Sequence, residues 1–114
     1  MIETTVRDYL KSKLDVPVYL EIPTDAPARY VTLEKTGSGR ENFINSATFA
    51  VQSPADSMYE AAELNEEVKA AMDSIIELDN ISRSALNSDY NFTDVTTGKY
   101  RYQAVYDLIY HEEG

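Results

Sequence analysis

Residues 53–76 read SPADSMYEAAELNEEVKAAMDSII, the longest helical pattern in the chain. Ser53 and Pro54 favour a helix start here, because a serine side chain can cap free backbone amides and proline suits the first helical position. Apolar side chains then recur at the spacing of one helix face, at Met58, Ala61, Leu64, Val68, Ala71 and Ile75. Glutamates occupy the opposite face. The pattern predicts an amphipathic helix over residues 54–76.

One helix and three strands are predicted before this segment. Apolar residues recur every four positions from Ile2 to Leu14, which predicts a first helix. Alternating apolar residues predict strands over residues 16–22, 29–36 and 44–52. The first of these strands should lie at a sheet edge because it contains Pro17, which lacks an N–H group. Residues 37–42, GSGREN, are predicted to form a polar loop between the second and third strands.

Two more strands are predicted after the long helix, over residues 81–92 and 100–110. The element order is therefore α-β-β-β-α-β-β. Runs of adjacent strands favour antiparallel pairing, and two amphipathic helices must bury their apolar stripes on the sheet. The sequence predicts a single domain over residues 1–114 with an α+β fold. This fold is a two-layer sandwich, with a mainly antiparallel sheet of four to five strands and two helices on one face.

The charge of the chain excludes several classes of partner. The 114 residues contain 20 acidic and 10 basic side chains, for a net charge of -10. Phosphate backbones and anionic lipid surfaces repel such a protein, so neither nucleic acid nor a membrane is expected as a partner. The chain contains no cysteine, which removes disulfides, thiol catalysis and thiolate metal sites.

No constellation of residues suited to catalysis, cofactor binding or metal binding is found. His111 is the only histidine and lies near the end of the chain, where it could serve no nucleophile. Residues 89–100 begin like a calcium loop, but Asp94 replaces the required glycine and Tyr100 replaces the required glutamate. We therefore expect a protein that is not an enzyme and that needs no cofactor.

Tyrosines are concentrated in the last predicted strand. The chain has nine tyrosines, and four of them share one strand face, namely Tyr100, Tyr102, Tyr106 and Tyr110. Tyrosine suits a half-buried pleated surface, and it is also enriched at protein interfaces, where it adds apolar area at low entropic cost. Both interpretations stay open from the sequence.

Three segments resemble a family of small siphophage proteins. They are RYVTLEKTG at residues 29–37, ATFAVQS at residues 47–53 with the helix start that follows, and YRYQA at residues 100–104. Together these segments span most of the chain. The family comprises tail completion, tail terminator and minor tail proteins, which are encoded in the head–tail joining region. Pro54 departs from the resemblance, because a bulkier residue is typical there.

The resemblance implies a structural role in the virion. Members form a ring, commonly a hexamer, that caps the head-proximal end of the tail tube and joins the tail to the head. The implied partners are other copies of the chain, the tail tube protein and a head–tail connector protein. The protein would be made in the bacterial host cytoplasm and remain in the neck or tail of the virion. The alternatives are a head-completion adaptor and a free acidic inhibitor or immunity-type binding protein.

Ring closure requires two unlike surfaces on each subunit. The sequence offers the loop with Gly37, Gly39, Arg40, Glu41 and Asn42, and the tyrosine face with Tyr100, Tyr102, Tyr106 and Tyr110. If both helices cover one sheet face, the tyrosine face could be the free one. We therefore expect the loop of one subunit to pack near the sheet of its neighbour.

Overall fold

Each predicted helix and strand is present in the structure, a computed structural model that describes residues 1–111. In chain order the elements are α1 (Ile2–Lys13), β1 (Val18–Tyr19), β2 (Val31–Glu41), β3 (Ile44–Ala55), α2 (Met58–Ser74), β4 (Ile81–Asn91) and β5 (Tyr100–Tyr110). A short 3-10 turn, Ile75–Glu77, follows α2. The α+β class and the predicted element order are confirmed.

The five strands form one sheet in the order β1-β2-β3-β5-β4. The three pairings among β2, β3, β5 and β4 are antiparallel, whereas β1 runs parallel to β2, so the sheet is mixed. β1 lies at an edge, as predicted, but it is shorter than the predicted strand. Only Val18 and Tyr19 pair with β2, and Pro17 contributes its carbonyl alone, which accepts from the Val31 amide at 2.9 Å.

The start of α2 differs from the prediction. β3 continues to Ala55, so Ser53 and Pro54 belong to a strand and not to a helix cap. The helix is capped instead by Ser57, whose Oγ accepts from the Glu60 amide at 3.1 Å and donates to the Glu60 carboxylate at 3.2 Å. The serine side chain thus satisfies one of the free amides of the first helical turn, and Glu60 holds the hydroxyl in place. Pro54 is tolerated because it lies beyond the last residue of β3 that pairs with β2.

The predicted polar loop at residues 37–42 is wrong, because β2 extends through this segment to Glu41. Pairing with β3 continues from Gly37 to Glu41 after a bulge between Lys35 and Gly37, so the backbone groups of the segment are satisfied in the sheet. The hairpin turns at Asn42 and Phe43, whose φ angles are 51° and 67°. The result is a long, narrow molecule with principal extents of 44 × 23 × 23 Å.

Both helices cover the same face of the sheet, as predicted. α1 packs over β1 and β2, and α2 packs over β3, β5 and β4. The space between the helices and the sheet is filled by side chains from both layers, including Val6, Leu10, Leu33, Phe49, Val51, Leu64, Val68, Met72, Tyr106 and Leu108. Polar links tie the layers at the margins, since Lys69 of α2 bonds the Asp89 carboxylate of β4 at 2.9 Å. Within residues 1–111, the other face of the sheet carries no helix.

Candidate functional site

The tyrosine face of β5 is turned toward the helices, which corrects the predicted interface. Tyr106 is fully buried, and Tyr110 is 6 % exposed. The Tyr106 hydroxyl donates to Asp73 Oδ1 at 2.9 Å and approaches the Lys69 carbonyl at 3.2 Å, and burial raises the pKa of this phenol. The prediction that these two tyrosines form a free surface is wrong, because both belong to the hydrophobic core of the chain.

Tyr102 and Tyr100 lie on the same face near the start of β5. Tyr102 is half-buried opposite Ser53, and Tyr100 is 40 % exposed opposite Ala55. Only this end of the tyrosine row reaches the surface. The tyrosine row therefore has two roles along the strand. Tyr106 and Tyr110 belong to the core under the helices, whereas Tyr100 and Tyr102 lie nearer the surface.

The tip of the β2–β3 hairpin is the most exposed apolar surface of the sheet. Arg40, Glu41 and Asn42 surround Phe43, which is 82 % exposed, and Ile44 beside it is 56 % exposed. The Arg40 guanidinium lies over the Phe43 ring, 5.6 Å from its centroid. The interface predicted from the sequence lacked Phe43, the more exposed of the two apolar side chains at the tip.

The two glycines of the segment have different surroundings. A Cβ at Gly39 would lie 3.0 Å from Ser46 Oγ, whereas a Cβ at Gly37 would meet open space. Gly39 also borders a shallow groove of about 480 Å³ beside the tip, which Glu41, Ile44 and Ile109 help to line. Gly39 thus permits close approach of the paired strands, and the hairpin is a fixed arm of the sheet.

The uncovered face of the sheet carries ordered rows of polar side chains across three strands. In one row Gln52 donates to Gln103 Oε1 at 3.0 Å, and Gln103 donates to the Tyr90 hydroxyl at 2.6 Å. In the other row, Asp107 accepts from Asn87 at 3.0 Å and from Thr48 at 2.7 Å.

The second row is anionic. The hydrogen bonds from Asn87 and then Thr48 hold the pKa of the Asp107 carboxyl below its usual range. Because each of these side chains is held by a partner on the next strand, the surface is preorganised and polar.

One end of the uncovered face combines aromatic rings with cations. We name it the aromatic–cationic patch and define it as Tyr30, Tyr90, Phe92, Lys99 and Arg101. The Lys99 ammonium lies 5.8 Å from the Tyr30 ring centroid, and the Arg101 guanidinium lies 4.8 Å from that of Phe92. The rings of Tyr90 and Phe92 meet edge to face at 6.0 Å.

Backbone carbonyls fix the two cations of the patch. Lys99 donates to the Ala28 carbonyl at 2.9 Å, and Arg101 donates to the Phe92 carbonyl at 2.7 Å. Within residues 1–111 neither cation forms a salt bridge. Arg101 nevertheless contributes to the lowered pKa of Asp94, mainly set by the Thr96 amide. The patch is thus a positive surface on an acidic protein.

The outer side of α2 is acidic at its N-terminal end. We name this surface the acidic helix face and define it as Asp56, Tyr59, Glu60 and Glu63. All four side chains are exposed, and Tyr59 is 76 % exposed. Further along the helix, Glu67 bonds Arg29 at 2.8 Å and Glu66 bonds Lys69 at 3.1 Å, so the net negative charge is greatest near the helix start.

The described part of the chain contains no group of three or more histidine, cysteine, aspartate or glutamate side chains that could hold a metal ion. His111 is exposed, and its backbone amide donates to the Asn80 carbonyl at 2.9 Å. Within residues 1–111 no helix is long and apolar enough to cross a membrane.

No protein-family model matches the chain, and no curated protein matches it either. Functional inference consequently depends on the hairpin tip, the aromatic–cationic patch and the acidic helix face.

Proposed function

We propose that the chain is a structural subunit of the phage neck or tail end. Copies of it form a ring that caps the tail tube and joins the tail to the head, with the tail tube protein and a head–tail connector protein as neighbours. The observation that carries the proposal is the exposed hairpin tip, where Phe43 is 82 % and Ile44 is 56 % exposed. A subunit that works alone gains nothing from these two side chains in water.

The backbone at the tip supports an interface role. Phe43 has a φ of 67°, a region that bulky side chains rarely occupy and that costs about 1–2 kcal/mol for an L-residue. A glycine would fit the turn better. Strain of this kind is typical of positions where the side chain serves a function. Here the strained residue presents a large ring at the end of a rigid arm, as an interface anchor requires.

The long axis of the subunit separates the tip from other candidate contacts. β3 runs from Ile44 at the tip to Ala55 beside Tyr100, and its 12 residues span about 37 Å at 3.4 Å per residue step. The aromatic–cationic patch lies at the far end. Two unlike surfaces at opposite ends of a subunit are what a heterologous, ring-closing contact needs.

A pair of variants tests the proposal. Phe43→Asn combined with Ile44→Thr removes the apolar tip, and Val95→Thr removes an equally exposed apolar side chain, 92 % exposed, from another loop. We expect all proteins to remain folded by circular dichroism. Wild type and the Val95 control should form rings with the tail tube protein in electron micrographs, and the tip variant should not. Normal capping by the tip variant would contradict the proposal.

The acidic helix face favours a second candidate, a free acidic inhibitor that binds a basic partner. Asp56 and Glu63 form no salt bridge within residues 1–111 and would be available to such a partner. This candidate predicts a monomer at every concentration and indifference to the tip variant. Light scattering on the isolated protein and on its mixture with the tail tube protein separates the two candidates.

A further inference from the structure

The cations of this protein differ in whether they pair with carboxylates. Of 10 lysines and arginines, five make salt bridges in the described chain, namely Arg7, Lys13, Arg29, Lys35 and Lys69. Three of the others, Arg40, Lys99 and Arg101, lie over aromatic rings instead. An aromatic ring orients a cation without neutralising it. In a chain with twice as many acids as bases, cations that form no salt bridge within residues 1–111 are available to an external anion.

Lys99 and Arg101 are spaced to meet two carboxylates on a helix. Arg101 is the second residue of β5, and Lys99 directly precedes the strand, where it pairs with Asp94 in an isolated β-bridge. Two residues of extended chain place their backbone positions about 7 Å apart, and both side chains lie over rings of the same patch. Glu60 and Glu63 are three apart on α2, and side chains at that spacing are neighbours at about 5–6 Å. The long, flexible side chains of lysine and arginine can bridge the difference between the spacing of the two cations and that of the two glutamates.

Both surfaces also carry exposed aromatic rings, and these could pack against one another. Tyr59 projects from the middle of the acidic helix face and is 76 % exposed. Phe92 and Tyr90 in the aromatic–cationic patch are 40 % and 41 % exposed, and they already pack edge to face. A third ring could join this pair in the same geometry. The contact would thus have an aromatic centre flanked by ion pairs.

We infer that the aromatic–cationic patch of one copy binds the acidic helix face of a second copy. The inference rests on the proposed ring, for which it supplies one subunit contact. The two surfaces belong to opposite layers of the subunit, so the contact joins unlike surfaces and leaves one of each free at the ends of any pair. Repetition of such a contact builds a ring. A polyanion is the less favoured occupant of the patch because the chain carries a net charge of -10.

Charge exchange provides the test. One variant reverses the patch with Lys99→Glu and Arg101→Glu, and another reverses the helix face with Glu60→Lys and Glu63→Lys. Sedimentation velocity at low salt should show self-association weakened at least ~10-fold in each variant alone, because like charges then face each other. An equal mixture of the two should associate again, since every contact in it pairs opposite charges. Circular dichroism checks that each variant is folded.

The matched control changes net charge elsewhere. Lys11→Glu combined with Arg83→Glu makes the same charge change as the patch variant, on two cations outside the patch and without salt bridges in the described chain. This control should associate like wild type apart from a small loss from general repulsion. An equal loss in the control and the patch variant would overturn the inference.

Three further results would also overturn it. They are a wild-type protein that stays monomeric at millimolar concentration, a mixture that fails to associate, and a labelled single-stranded oligonucleotide that binds the patch at physiological salt. Failure of this contact and failure of the proposed function would give different results. If the reversed variants still cap tail tubes as rings, only this contact is wrong. If association follows the charges but tubes stay uncapped, only the proposed function is wrong.

Discussion

Replacing Phe43 with glycine should make the isolated subunit more stable while it abolishes assembly. Glycine adopts a φ of 67° without penalty, so the change removes about 1–2 kcal/mol of backbone strain. Two smaller effects oppose this gain. Loss of the contact between Arg40 and the ring costs about 0.5 kcal/mol, and the more flexible unfolded chain costs about 0.5 kcal/mol. The ring itself is 82 % exposed and contributes little to burial.

The net expectation is a gain of up to about 1 kcal/mol in the free energy of unfolding. For a chain of 114 residues, this corresponds to a rise of up to about 4 °C in Tm. Thermal unfolding followed by circular dichroism at pH 7 measures it, at a concentration where wild type is monomeric. Asn42→Gly is the control, because asparagine tolerates its φ of 51° and should gain less. A Phe43→Gly variant less stable than wild type would refute the assignment of strain to this residue.

Three other predictions concern the core, the uncovered face and nucleic acid. Tyr106→Phe should lower the free energy of unfolding by about 1.5–2 kcal/mol in urea titrations, because it removes a buried donor to the Asp73 carboxylate; no loss would contradict the core role of this hydroxyl. The pKa of Asp107 is lowered in the folded state, so its contribution to stability is full above its unfolded pKa of about 3.9 and disappears as pH falls through the folded value. The stability gap between wild type and Asp107→Asn should therefore be present at pH 6–7 and narrow as pH falls below about 3.9, whereas a gap that does not change with pH would argue against this linkage. Duplex DNA should not bind at physiological salt in an anisotropy titration, and a micromolar, salt-sensitive affinity would disprove that expectation.

Much of the fold could be predicted from the sequence where one local signal dominated. The alternation in residues 100–110 gave the exact bounds of β5, since no competing helix pattern or turn residue interrupts it. The start of α2 was missed because two serines compete as caps four residues apart. Ser57 is followed three residues later by Glu60 and Ser53 is not, so a stricter search for capping boxes would have chosen correctly.

The hairpin arm was missed because glycine and polar residues favour loops on average. The segment from Gly37 to Glu41 is a strand only because β3 pairs with it, and that pairing depends on a turn at Asn42 and Phe43 that does not follow the usual Asn-Gly pattern. Tertiary contacts here override local preference. No local signal identifies a phenylalanine that occupies a position suited to glycine.

The candidate site was harder to predict because alternation shows which side chains share a face but not which face the helices cover. The composition of β5 contained a usable clue. Gln103 and Asp107 lie on the face opposite the tyrosines, and a buried core would exclude these polar groups more strongly than tyrosine. The aromatic–cationic patch joins Tyr30 to residues about 70 positions away, so it appears only once the strands are paired.

The most direct test of the proposed role is to mix the purified protein with the tail tube protein from the same genome and examine the tubes by electron microscopy. The proposal predicts one ring of this chain at one end of each tube, and tubes that stop growing once the ring is bound. Tubes that remain bare and keep elongating in the presence of excess folded protein would contradict it.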